Sequence, residues 1–126
     1  MVIDASAVIA IFRGEPEREA FIRAIQADSV RLISAATFLE AAIVLDNRVN
    51  KAWQLEALIE AAAIEIVPVT AEHARIARVA FREFGKGKHR AGLNFGDCFR
   101  YALAKSSGEP LLQKGEDFNR TDVKVL

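Results

Sequence analysis

A single cysteine, Cys98, in 126 residues leaves no partner for an internal disulfide and fits a reducing compartment. That thiol and two histidines stand at no ligand-like spacing, so no zinc or iron–sulfur site is indicated. No apolar run approaches the roughly 20 residues needed to cross a bilayer. The basic region, apolar stretch and small-residue cleavage site of a signal peptide are missing too, so a cytoplasmic protein with no membrane association is expected. Repeats, low-complexity tracts and linkers are absent. Net charge is lacking as well, with 17 basic and 17 acidic residues, so overall charge gives no sign of a nucleic-acid partner.

About half of the residues are apolar and about a quarter charged, the balance of an ordinary globular protein. The length suits one domain, 1–126, with a single sizeable core. The distribution of charge is more informative than its sum. The segment GKGKHR (85–90) is a basic loop carrying Lys86, Lys88 and Arg90, and Arg75, Arg78 and Arg82 fall along one helical face. Each is also what a solvated surface looks like.

Short apolar runs alternate with longer segments of helical period, the sign of an α/β domain with a mainly parallel sheet. Strands are expected near Val2–Asp4, Arg31–Ile33, Glu65–Val67 and Leu111–Gln113, with a further short one near Val123. Helical signal begins at Ser6 and stops at Arg13-Gly14-Glu15-Pro16. Helices are expected over Pro16–Ala27, Ser34–Arg48, Lys51–Ala63, Ala71–Phe84 after a Thr70 cap, and Phe95–Ser106 after an Asn94 cap. In AATFLEAAIVL (35–45) the only charge is Glu40. A helix apolar nearly all round is normally buried, which places Glu40 where water is scarce. In the last helix Phe95, Cys98, Phe99 and Ala102 are expected inside, with Asp97 on the opposite side.

Four carboxylates stand out by position: Asp4, Glu40, Asp97 and Asp117. Singly, each has a structural explanation. Asp4 or Ser6 caps a helix, Thr37 to Glu40 spells a capping box with Ser34 as a competing cap, Asp97 suits a helix N-terminus, and Asp117 suits a turn. Together they follow strand ends or open helices, and in an open parallel sheet such positions lie at the carboxyl edge, where ligands bind. Two unit charges about 4 Å apart repel by roughly 4 kcal/mol at an effective dielectric near 20. An acidic cleft of this kind must take up protons or bind cations. Oxygen-only donors select hard ions, so Mg²⁺ or Mn²⁺ is expected.

At these residues the sequence resembles the PIN-domain ribonucleases, and within them the VapC-type toxins of bacterial toxin–antitoxin pairs. The matching pieces are VIDASAV (2–8), the glutamate in ISAATFLEAAIVL (33–45), LNFGDCFRYALAK (93–105) and PLLQKGEDF (110–118), in family order across the chain. The resemblance implies a three-layer α/β/α domain around a central, mainly parallel sheet of four to five short strands. It further implies a Mg²⁺- or Mn²⁺-dependent endoribonuclease. Asp4 and Asp97 match its most direct metal ligands, Glu40 a water-holding acid, and Asp117 the fourth member, with Glu116 as a competitor for that place. Ser6 matches a hydroxyl that orients the first acid, and Asn94 supports Asp97. Lys86, Lys88 and Arg90 are expected to hold the RNA backbone. A homodimer and a VapB-type antitoxin are implied partners, with the apolar 52–64 segment around Trp53 and Leu58 as a contact surface or as plain core.

Rival readings fit less well. A haloacid-dehalogenase-type phosphatase needs an aspartate where Ser6 stands, and a receiver domain needs one ending the third strand, where Ile66-Val67-Pro68 lies. A non-catalytic RNA- or antitoxin-binding module of the same fold is the alternative from a different class.

Overall fold

The computed structural model describes residues 1–49 and 52–126. Strands β1 (Val2–Ile3), β2 (Leu32–Ser34), β3 (Glu65–Val67) and β4 (Leu111–Leu112) form one sheet in the order β3-β2-β1-β4. All pairings are parallel: Val2 lies opposite both Leu32 and Leu111, and Ile33 opposite Ile66. The sheet therefore has four strands and is wholly parallel. The strand expected near Val123 is reduced to a single parallel bridge between Leu111 and Val125.

Strand side chains alternate between two covered faces. Met1, Ile3, Ile33 and Leu112 pack with helices α1 (Ala5–Arg13), α2 (Arg18–Ala27), α3 (Ala35–Val49) and α4 (Ala52–Ala61). Val2, Leu32, Val67 and Leu111 pack on the other face with α5 (Ala71–Phe84) and α6 (Phe95–Ser107). This is the expected three-layer arrangement. Each fully buried aliphatic side chain contributes about 1.5–3 kcal/mol, which is why strands of two or three residues make a firm mount.

Local chemistry sets most helix limits. Asp4 caps α1 by accepting a hydrogen bond from the Ser6 backbone N–H, and Gly14 ends the helix at φ 66°, a left-handed conformation that glycine adopts freely. Asp4, and not Ser6, is thus the cap. Thr70 caps α5 through the N–H of His73. Between them α2 begins at Arg18, two residues past Pro16.

Several expectations are corrected. Helix α3 begins at Ala35, so Thr37 lies within it and forms no capping box, and its buried hydroxyl oxygen has no hydrogen-bond partner. Asp97 is buried, whereas Phe95 is 79% exposed. Cys98 and Ala102 are buried as expected and Phe99 is half-buried, so the inward side of α6 is broader than hydrophobicity suggested: it takes in Asp97, for which a charged partner waits inside, and leaves out Phe95. The expected start of a helix at Lys51 lies outside the described residues. In α4, Leu55 and Leu58 join the core while Trp53 faces solvent. No helix among the described residues is long and apolar enough to cross a membrane.

Candidate active site

The sheet order turns back at β1, which has β2 on one side and β4 on the other. A crevice opens at such a switch point, outside the carboxyl ends of the strands. Asp4 leaves β1 there, its N–H donating to the Leu112 carbonyl at 2.9 Å, and the residue is only 3% exposed. Oδ2 accepts from the Ser6 N–H at 3.1 Å and from the Ser6 hydroxyl. That hydroxyl oxygen accepts in turn from the N–H of Lys114 at 2.9 Å. Ser6 thus ties the ends of β1 and β4 together through the acid. Ser6→Ala is expected to lower stability by about 1–2 kcal/mol, since hydrogen bonds to charged groups are the stronger kind. Urea unfolding measures this, and an unchanged midpoint would dismiss the tie.

Asp97 is held from α6 by a reciprocal cap. The Asn94 N–H donates to Asp97 Oδ2 and the Asp97 N–H to Asn94 Oδ1, both at 2.9 Å. The residue is 5% exposed. Burial pushes its pKa above the usual 3.8, against the pull of the Asn94 N–H and Arg100, and the charges of Asp4 and Asp117 push the same way. Glu40 reaches in from the second turn of α3 and not, as expected of it, from the helix start. A Cβ at Gly96 would stand 3.2 Å from Glu40 Oε2, so the absent side chain lets this carboxylate approach the start of α6. With its side chain 42% exposed, Glu40 is open to water on one side, contrary to expectation. Its helix is apolar all round because part of it faces outward: Leu39 and Ile43 are exposed.

At the centre is Arg100, which the sequence reading missed. It is 6% exposed. Nη1 pairs with Glu40 Oε2 at 2.7 Å, Nη2 with Asp97 Oδ1 at 2.5 Å, and Nε with Asp4 Oδ1. The last contact is an ion pair without hydrogen-bond alignment, so Arg100 Nε and Asp4 Oδ1 are both buried with no hydrogen-bond partner. Burial works against the guanidinium charge, yet Asp4, Asp97 and Glu40 together raise its pKa. A signal was present in the sequence: Arg100 is the only charge in CFRYALA (98–104), the same anomaly that marked Glu40.

Asp117 opens a short 3-10 turn (Asp117–Arg120) and is exposed at the rim, where it lines a cavity of about 210 Å³ with Arg90, Ala91, Glu116 and Arg120. Glu116 borders the same space. Of the basic loop, only Arg90 reaches this cavity. Lys86 and Lys88 are exposed elsewhere on the loop, with Lys88 Nζ 5.5 Å from the Phe81 ring centre. Arg120, whose Nη1 donates to the Arg90 carbonyl at 3.3 Å, is a second cation that sequence reasoning missed. Cys98 is buried, its thiol donates to the Asn94 carbonyl, and burial pushes its pKa up, the opposite of a reactive cysteine.

The PIN domain family matches residues 1–124. The chain is 50% identical over 128 residues to Ribonuclease VapC30 of Mycobacterium tuberculosis, covering 100% of this chain and 98% of that protein. Ribonuclease VapC of Mycolicibacterium smegmatis is also 50% identical, with 100% and 99% covered. This chain belongs to the VapC ribonucleases of the PIN-domain family. Its fold is shared with M. tuberculosis VapC20, described as a sarcin-ricin loop cleaving toxin, at TM-score 0.80 and 18% identity over 99% of this chain and 97% of that one. A toxin–antitoxin complex from Klebsiella pneumoniae matches at TM-score 0.77 and 18% identity, over 99% and 95%.

In this VapC-type domain the donor set suits a hard divalent ion, because every candidate ligand is a carboxylate oxygen. One of those oxygens, Asp4 Oδ1, is buried without a hydrogen bond. The acids are nevertheless not gathered as a cage: among the described residues no three of His, Cys, Asp and Glu converge in ligating arrangement. Asp4, Glu40 and Asp97 are instead spaced around the guanidinium that each of them touches.

Proposed function

We propose that this VapC-type domain is a Mg²⁺- or Mn²⁺-dependent endoribonuclease toxin that cleaves transfer or ribosomal RNA in the cytoplasm and thereby stops translation. The observation that carries the reading is the meeting of Asp4, Glu40 and Asp97, from three separate elements, at the carboxyl edge of the sheet, with Asp117 at the rim. Asp4 and Asp97 are the deeply set acids and would be the most direct ligands. Glu40, half open to solvent, would orient the attacking water, and Asp117 would complete the set. A bound divalent ion supplies a water of lowered pKa and neutralises charge on the phosphodiester. Ser6 locks Asp4, and the Asn94 cap locks Asp97, so neither carboxylate must reorganise during the reaction.

The acid-lined rim also carries cations for an RNA backbone. Arg90 and Arg120 border Asp117, and Lys86 and Lys88 extend the basic surface along the loop. Replacing Lys86, Lys88 and Arg90 by alanine is expected to weaken RNA binding and to flatten its logarithmic salt dependence by about 0.7 per lost phosphate contact. Filter binding across a salt series measures it, and an unchanged slope removes the loop from the interface. The exposed apolar residues Leu39, Ile43 and Phe95 suit a homodimer contact or a VapB-type antitoxin, and the neighbouring toxin–antitoxin complex supports such a partner.

The function is tested on chain freed of antitoxin and incubated with structured RNAs. Discrete cuts in exposed loops are expected with Mg²⁺ or Mn²⁺, and none with excess chelator. Cleavage that persists in chelator overturns the metal dependence, and no cleavage with either ion overturns the enzyme.

A further inference from the structure

We propose that Arg100 is a tethered counter-ion that holds the acidic cluster shut and must withdraw before a divalent cation can enter. The inference rests on the reading of Asp4, Glu40 and Asp97 as the metal-binding acids. Each of the three guanidinium nitrogens touches a different one of these carboxylates, so Arg100 fills the point that an ion shared by them would take. An ion held by Asp4 and Asp97 would have to compete for the carboxylate oxygens that the Arg100 nitrogens now touch. The guanidinium stays protonated at any working pH, so proton loss cannot remove the repulsion between it and an incoming ion.

Two features make the arrangement displaceable. Three carboxylates against one cation leave the cluster short of neutrality, so a divalent ion compensates it more fully. The Nε contact with Asp4 is also imperfect, leaving Nε and Oδ1 buried without a hydrogen bond. The metal-free protein is therefore held in a stable but inactive arrangement, and the work of expelling Arg100 is subtracted from the affinity for the ion. Arg100 is a positioning and gating residue here, with no contact to the reacting atoms required of it.

Calorimetric titration of the full, antitoxin-free chain with Mn²⁺ alone tests this without any activity assay. Arg100→Gln keeps much of the side chain and removes the charge, and it is expected to bind Mn²⁺ about tenfold tighter or more. Arg100→Lys, a point charge without the planar fork, is expected to fall between Arg100→Gln and the wild type. Melting with and without Mn²⁺ should show a larger metal-induced rise in both variants. A purely structural arginine would do the reverse, since a disordered cluster binds metal more weakly. Equal or weaker Mn²⁺ affinity in the variants, while Asp97→Asn still abolishes binding, overturns the gate and leaves the metal reading intact. Mn²⁺ binding indifferent to Asp97→Asn in both wild-type and Arg100→Gln backgrounds overturns the metal reading and the gate with it. If Arg100→Gln does not fold without metal, Arg100→Lys decides on the same criteria.

Discussion

Asp97→Asn is expected to cut RNA cleavage by on the order of 10²–10³-fold while leaving the protein folded, the scale on which losing one preorganised electrostatic group acts. The asparagine amide oxygen can still accept from the Asn94 N–H, so the helix cap survives and the lost quantity is charge. Stability moves the other way. Burial raises the pKa of Asp97 above 3.8 in the folded chain, so the native state holds this proton more tightly than the unfolded state does. The associated stability is present below 3.8 and is lost as pH rises through the raised value. Asp97→Asn has no such loss, and at neutral pH it should be at least as stable as wild type by urea unfolding. Wild-type cleavage by the variant would end the assignment of Asp97 to the reacting site. A large fall in stability at neutral pH would mean that its pairing with Arg100 outweighs the cost of burial.

Arg100→Ala is expected to destabilise the metal-free protein by about 3–5 kcal/mol, the range for removing one partner from a buried ion pair. Asp4 and Asp97, both nearly inaccessible, would then lie in one crevice with Glu40 and no counter-charge. Asp97, whose pKa burial already raises against the pull of Arg100, must hold its proton more tightly once Arg100 is gone. By the same linkage the variant is most stable in acid and loses stability as pH rises toward neutrality. The deficit relative to wild type should therefore widen from about pH 4 to pH 7. A deficit of equal size across that range would assign the effect to packing of the arginine stem and not to its charge.

Much of the fold was legible because its signals are local. Alternating short apolar runs and helical segments mark a parallel α/β sheet, and the Thr70 and Asn94 caps were visible as residue types in place. Register and exposure were not. Hydrophobicity points Phe95 inward, yet it is exposed, while Asp97 is buried beside Cys98 because Arg100 and the Asn94 cap receive its carboxylate. Thr37 to Glu40 spells a capping box but lies inside α3, and a short motif does not say where a helix starts.

The sequence by itself determined the kinds of group available: four acids that stand out by position, a basic loop, and a lone thiol and two histidines at no metal-ligand spacing. Only the tertiary structure decided which of these meet. Helices α3 and α6 are far apart along the chain, and their packing beside β1 is what brings Glu40, Asp97 and Asp4 onto Arg100. A lone charge among apolar neighbours announces that a partner is needed; Asp97 lies within local reach of Arg100 at i,i+3, but the Asp4 and Glu40 contacts depend on long-range packing that no local pattern encodes. For that reason MVIDASAV could announce a buried aspartate, while the guanidinium that neutralises it came to light only in the fold.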